Sequence, residues 1–406
     1  MNPSAPRLLC SVEEYADEVA RLVEPDTRTE EVGIDDADGR VLAADVRSGV
    51  SIPAFDNSAM DGYAVRSADV VKVPLRLPVV GEVPAGSGFD PLIAPGSCVR
   101  IMTGAPLPTD ADAVVPIEDT DQGTDLVEIF LAPRPGAHVR RAGEDLTAGA
   151  LVARAGAPLA PGLVGAVAAA GHIAVPVRPR PVVAVAATGD ELVHDGSALG
   201  RGQIHESNAR VLAAALRRDG AAPLTGVPVA DTAAAVTAWL DTHAGSCDFL
   251  VLTGGASVGA YDVARDVLGS VGGVFRHVSM QPGKPQGWAV WKETPVIALP
   301  GNPVSAVISY QVFVRPLLDL ILGRETPPWV PAIAGSDWSS PAGRRQIIPV
   351  TATVDPVGRV VVEPAHGGGS GSHLVSALGV ATALARVPEQ ATRVNRGDLL
   401  EMQALA

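Results

Sequence analysis

Residues 181–192, PVVAVAATGDEL, decide the fold. From Val182 to Ala187 the chain is apolar without a break, and it then stops at Thr188-Gly189-Asp190-Glu191. An apolar run this short, closed by a turn, reads as a strand buried on both faces of a sheet. Working outward toward the carboxyl terminus, the pattern repeats. A helix is predicted from Ser207 to Asp219, a strand over APLTGVPV, a helix from Thr232 to His243, a strand over FLVLTGG and a helix from Tyr261 to Val271. Strands over VFRHVSM, GWAVW and PVIALPG follow, then a helix from Pro303 toward Leu322, with Asn302 as the expected N-cap and Pro303 at the first helical position. Alternation of this kind predicts a doubly wound, mostly parallel sheet that holds its ligand at the carboxyl ends of the strands. Those ends carry Thr188 to Glu191, Thr253-Gly254-Gly255 and Pro300 to Pro303.

The segments on either side have a different grammar. Arg178 to Pro181 reads as a linker. Before it, 51–140 shows short strands (LRLPVVGEV, SCVRIM, DAVVPIED, LVEIFL) between Pro and Gly clusters, a β-rich domain. Residues 1–50 and 141–178 read as a mixed α/β domain, with an amphipathic helix announced by Ser11 before Glu13 and Glu14. The predicted doubly wound domain covers 179–326. After Pro327 and Pro328, residues 327–406 read as short strands closing into a small barrel or sandwich, of which the barrel is adopted here. The fold class is therefore α/β and multidomain, as a length of 406 residues at about 150 per domain also implies.

Composition narrows the function. A formal charge of −14 excludes a broad basic footprint, so neither nucleic acid nor an anionic membrane surface is an expected partner. Cys10, Cys98 and Cys247 fit neither a disulfide framework nor a zinc spacing, which implies a reducing compartment. The start of the chain lacks the apolar core of a signal peptide, and the apolar stretch 159–177 is broken by Pro161, Gly162, Gly165, Gly171 and Pro176. A soluble, cytoplasmic protein is expected. The eight histidines form no HxH or HxxxH pair, and no serine sits in GxSxG, so zinc chemistry and a serine hydrolase lack support.

What remains points to anions. TGGASVGAYD (253–262) joins a strand to a helix, so its glycine amides and the helix terminus can cradle a phosphate; a plain tight turn explains the same residues. QPGKP (281–285) fixes Lys284, one of a small set with Lys72 and Lys292, where it can act as a point charge for an oxyanion. Loop carboxylates flanked by Gly or Pro recur, among them Asp61, Glu144, Asp145, Asp190, Glu191, Asp231 and Asp262. A hard cation such as Mg²⁺ takes one or two of these plus substrate oxygens, which would reconcile an acidic chain with an anionic substrate. In DNSAMDGYAV (56–65), apolar Met60 and Tyr63 beside Asp61-Gly62 suit a loop that packs firmly while exposing Asp61.

Read together, DNSAMDGYAV, RIMTGAPLP (100–108), DAVVPIED, RRAGEDLTAG (140–149), ATGDEL (187–192), IHESN (204–208), TGGASVGAYD, QPGKP, LPGNPVSA (299–306) and GSHLVSAL (371–378) resemble the molybdopterin molybdenumtransferase family, which is related to the E domain of gephyrin. The blocks span almost the whole chain. The resemblance implies an L-shaped subunit of four domains, the third binding molybdopterin, and a homodimer. It implies that molybdate and adenylylated molybdopterin, with Mg²⁺, give molybdenum cofactor, AMP and water. It also implies a link to the molybdopterin adenylyltransferase that supplies the substrate. Carried over by motif, Asp61, Thr103, Asp145, Glu191 and Asp262 fall on catalytic positions, with Asp61, Glu191 and Asp262 as metal ligands. Gly254, Gly255, Ser257, Gly259, Lys284, Pro300, Pro303, Asp231 and Ser372 fall on positions that line or bind the pterin substrate. One departure stands out: where many relatives carry lysine, this chain has His277 and Gln281, two positive charges fewer. Two other readings share these residues, a scaffold that binds pterin without turnover and a tungstate insertase. A scaffold has no need of three such carboxylates.

Overall fold

The computed structural model describes residues 9–254, 263–367 and 371–405. Backbone contacts divide the chain into two units, one running from the amino terminus to Glu30 and from Arg178 to the carboxyl terminus, the other Glu31–Val177.

In the first unit the expected alternation takes shape as β1 (Val182–Ala187), α1 (Asn208–Arg218), β2 (Ala222–Thr225), α2 (Ala233–His243), β3 (Phe249–Thr253), α3 (Val263–Ser270), β4 (Val274–His277), β5 (Pro285–Trp291), β6 (Thr294–Leu299) and α4 (Pro303–Ser309). The sheet order is β2-β1-β3-β6-β5-β4. β2, β1, β3 and β6 are parallel; β5 runs antiparallel to β6, and β4 runs antiparallel to β5. β3 and β6 are buried along their whole length, which is why they read as unbroken apolar runs. The chain leaves β1 toward β2 on one side and comes back to β3 on the other, so the strand order reverses between β1 and β3. Such a reversal opens a crevice at the carboxyl ends.

Helix starts follow the sequence only in part. Thr232 caps α2 through its side chain, accepting from Ala235 N, and Ser11 and Glu14 complete a capping box on the helix Val12–Ala20. Pro303 takes the first turn of α4, but the Asn302 side chain caps nothing. Instead the Val304 amide donates to the Ser372 carbonyl at 3.2 Å. Nor does Ser207 cap α1; the Glu206 carboxylate does, accepting from Ala209 N at 2.7 Å. α4 runs on through a π-helical turn, Tyr310–Val314, into the helix Arg315–Leu322. This run is long and apolar enough to cross a membrane, yet 72% of its apolar window is buried within the fold, as in a core helix. Tyr15 packs edge-on against Phe313, which fixes the helix Val12–Ala20 to this unit.

The same unit ends in a closed barrel of β7 (Val330–Ala334), β8 (Arg345–Val354), β9 (Val360–Pro364), β10 (Ala383–Val387) and β11 (Leu399–Ala404). Its order is β8-β9-β7-β11-β10, and β10 pairs back onto β8 to close the ring. Ile348, Val350, Val362, Ala385 and Val387 fill its interior.

The second unit is mostly β. Its five-stranded sheet runs Ala113–Pro116, Gly62–Val65, Cys98–Ile101, Leu75–Val83 and Leu126–Ile129 in spatial order. Tyr63, Val65, Leu77, Val115 and Ile129 pack on one face. A separate core gathers Leu42, Leu159, Val167, Val175 and Val177 around the helix Pro161–Ala169.

Candidate functional site

At the carboxyl ends of β1, β3 and β6 lies a cleft of about 470 Å³. Its floor is Thr188, Thr253 and Gly254, where β1 and β3 end side by side. The Thr188 amide donates to the Thr253 carbonyl at 2.8 Å, and the Thr188 hydroxyl donates to the same oxygen at 3.3 Å. Gly254 has φ +99°, and a Cβ there would lie 2.6 Å from Thr188 Oγ1 and 2.7 Å from its carbonyl oxygen. Only glycine fits. Its N–H, expected to face an anion, donates instead to the Leu299 carbonyl at 3.2 Å. Gly254 therefore serves the cleft through its missing side chain rather than as a free donor.

Two further elements add to the wall. Gly301, Asn302 and Pro303 enter from the β6–α4 turn, and His205 to Asn208 from the start of α1. Asn208 ties them together, its Nδ2 donating to the Gly301 carbonyl at 2.7 Å and reaching Thr253 Oγ1 at 3.4 Å. Because Nδ2 must face that carbonyl, the amide orientation is set, and Oδ1 is buried without a partner among the described residues. Glu206, 8% exposed, holds the end of α1 and also lines the cleft. Neither residue was assigned a site role from sequence, although both stand in the IHESN block; a polar residue before a helix reads first as a cap.

Glu191 and Asp231 stand at the mouth. The Asp231 amide donates to Asp190 Oδ1 at 3.1 Å. Burial pushes the Asp231 carboxyl above the ordinary value, and the nearby charges of Asp190 and Glu191 push it further. A crowded acidic mouth of this kind is relieved by a cation. No group of three metal-ligating side chains is assembled among the described residues.

The other assigned residues fall elsewhere. Lys284 is half-buried, its carbonyl accepts from Val278 N at 2.8 Å, and its ammonium has no ion pair among the described residues; it is not part of the cleft lining. Pro300 is buried just before the lining turn, and Ser372 meets α4 through its carbonyl. At Gln281 the side-chain oxygen accepts from Arg344 at 2.9 Å, so a guanidinium stands beside the position where many relatives carry lysine. Gly255, Ser257, Gly259 and Asp262 lie outside the described residues.

In the second unit, Asp61 and Thr103 are brought together. Asp61 Oδ1 accepts from both the Thr103 amide and its hydroxyl, each at 2.7 Å. These bonds, the backbone one foremost, hold the Asp61 carboxyl below its usual value. Asp61 is exposed while Tyr63, two residues on, is fully buried. Asp145 is also exposed, on a turn where its amide donates to the Ile52 carbonyl at 3.1 Å.

A parallel sheet with its cleft at the strand-order reversal defines an α/β ligand-binding domain set in a larger chain. Comparison with known proteins gives the class. Residues 184–320 match the model described as probable molybdopterin binding domain, 10–171 the MoeA N-terminal region (domain I and II), and 331–405 the MoeA C-terminal region (domain IV). A relative named molybdopterin molybdenumtransferase 2, from Mycobacterium tuberculosis, is 41% identical over 97% of this chain and 98% of its own length. Two crystal structures of molybdopterin biosynthesis MoeA protein from Pyrococcus horikoshii are similar throughout. One has a TM-score of 0.78 at 31% identity and covers 98% of this chain and 99% of that one; the other has a TM-score of 0.83 at 27% identity and covers 98% and 100%. The chain belongs to the molybdopterin molybdenumtransferase (MoeA) family, and it is a transferase.

Proposed function

We propose that this chain inserts molybdenum from molybdate into adenylylated molybdopterin, releasing AMP and water and forming molybdenum cofactor. The observation that carries the reading is the cleft at the ends of β1, β3 and β6, inside the segment that matches the molybdopterin-binding model, with Glu191 and Asp231 at its mouth. The Gly254 floor and the Asn208-tethered turn form a rigid seat for a flat heterocycle. Gly255, Ser257 and Gly259 continue that floor in sequence and are assigned to the phosphates, with Lys284 and Ser372 as further oxyanion contacts. Pro300 and Pro303 keep the β6–α4 turn in place.

Asp61, Glu191 and Asp262 are the proposed carboxylates for Mg²⁺. When bound, the ion supplies charge neutralisation on the phosphoanhydride oxygens. Thr103 acts through Asp61: its two hydrogen bonds keep that carboxylate ionised and oriented. Asp145, exposed on its own turn, is proposed as a further acid of the reaction. A cytoplasmic homodimer of four-domain subunits, supplied by the adenylyltransferase, completes the reading. Incubating the protein with adenylylated molybdopterin, molybdate and Mg²⁺ should release AMP in proportion to molybdate consumed. Release that is independent of molybdate, or none at saturation, refutes the proposal.

A further inference from the structure

Gln286, the second residue of β5, is wholly buried. Only one end of its amide is used. Nε2 donates to the Gly283 carbonyl at 2.7 Å and to Ser309 Oγ at 2.6 Å, while Oε1 is buried without a partner among the described residues. A carbonyl oxygen can only accept, so the NH2 group must face Gly283 and the orientation of the amide is set. A buried amide with an idle oxygen is less favourable than an apolar side chain of the same shape, so packing alone does not account for glutamine here.

What Gln286 holds is the QPGKP loop. Gly283 has φ +95°, and a Cβ there would lie 3.1 Å from both Met280 Cε and Ser309 Oγ, so glycine lets the backbone turn close against α4. Ser309 is buried at the end of that helix, whose first residue, Pro303, lines the cleft. Lys284 follows Gly283. The carbonyl before it is bound by Gln286, and its own carbonyl accepts from Val278 N at 2.8 Å. Both peptide planes that meet at the Lys284 Cα are therefore pinned, which fixes the direction in which the side chain leaves the backbone. A lysine is a flexible point charge, so the affinity it adds depends on how much of its freedom the fold removes beforehand.

We propose that Gln286 is a positioning residue: acting through the Gly283 carbonyl, and registered on α4 by Ser309, it holds Lys284 where the ammonium meets the oxyanion. The inference rests on the reading of Lys284 as an oxyanion contact and adds what orders it. The test is the dependence of AMP release on molybdate and, separately, on adenylylated molybdopterin, in Q286L, S309A, K284M and the double variants K284M/Q286L and K284M/S309A. The oxyanion that Lys284 holds, molybdate or a substrate phosphate, is identified by which KM rises in K284M. Q286L should raise that same KM by about tenfold with kcat nearly unchanged, as expected when binding common to ground and transition states is lost. S309A should act in the same direction and by less, because the bond to Gly283 remains. In the K284M background each change should add less than about twofold, since no ammonium is left to position. A KM that rises in K284M but in neither Q286L nor S309A overturns the inference and leaves Lys284 standing. An effect of Q286L or S309A that persists undiminished without Lys284 makes the pair merely structural and overturns it too. Should K284M alter neither KM while the wild type releases AMP, the Lys284 reading falls and the inference with it.

Discussion

Gly254→Ala is the substitution whose cost follows most directly from the geometry. At φ +99° an L side chain is strained, and its Cβ would lie 2.6 Å from Thr188 Oγ1 and 2.7 Å from the Thr188 carbonyl oxygen. The hydroxyl can turn away. The carbonyl cannot, because Thr188 is held in the β1–β3 ladder by its 2.8 Å bond to Thr253. The conformational part costs about 1–2 kcal/mol and the forced separation of the strand ends about 1–3 kcal/mol, so about 2–5 kcal/mol in all. For a unit of about 260 residues, at about 2–4 °C per kcal/mol, the melting transition should fall by about 4–20 °C. Gly196→Ala is the control, since Gly196 also has positive φ (+76°) but nothing within 4 Å of a built Cβ; it should lose the conformational part alone. Differential scanning calorimetry of both variants reads the difference. If Gly254→Ala melts no lower than Gly196→Ala, the tight junction between β1 and β3 is wrong.

Three further outcomes follow. Glu191→Gln keeps the size of an exposed residue, so stability should move by no more than about 0.5 kcal/mol while AMP release drops by about 10²-fold; a large fall in melting temperature would make the residue structural. Thr103→Val removes the hydroxyl bond to Asp61 and leaves the backbone one. The Asp61 carboxyl, now held low, should then titrate at higher pH by ¹³C NMR, narrowing the acid range over which its bonds support the fold; an unchanged midpoint contradicts this. Asp231 has the opposite sign. Its carboxyl is raised by burial and by Asp190 and Glu191, so its protonated form suits the fold, and stability is lost as pH rises through that raised value. Asp231→Asn should therefore melt higher than wild type at mildly alkaline pH and match it in acid; a gap that persists in acid speaks against like-charge crowding.

The parts of this fold that could be read from sequence are those set by local physics. β1, β3 and β6 stand out as apolar runs because both faces are buried, and Ser11 and Thr232 mark helix starts because their side chains do bond the backbone. Where a distant segment supplies the partner, sequence misleads. Asn302 has the composition of a cap, but the Ser372 carbonyl takes the place of its side chain, and Ser207 yields to Glu206. The π-helical turn at Tyr310–Val314 and the β8–β10 pairing that separates a barrel from a sandwich depend on hydrogen bonds with no periodic signature. The candidate site divides in the same way. Glu191 and Asp231 are conspicuous as acids in Gly- and Pro-flanked loops, and the Asp61–Thr103 pair as two motifs. Asn208 acquires its meaning only when the turn at Gly301 comes within 2.7 Å of it.

Soaking crystals with AMP and molybdate and collecting data at the molybdenum edge tests the central claim most directly. An anomalous peak within the hollow bounded by Thr188, Gly254 and Pro303 is the expected result. A peak at full occupancy elsewhere, with that hollow filled by water alone, would contradict the assignment of chemistry to the strand-order reversal.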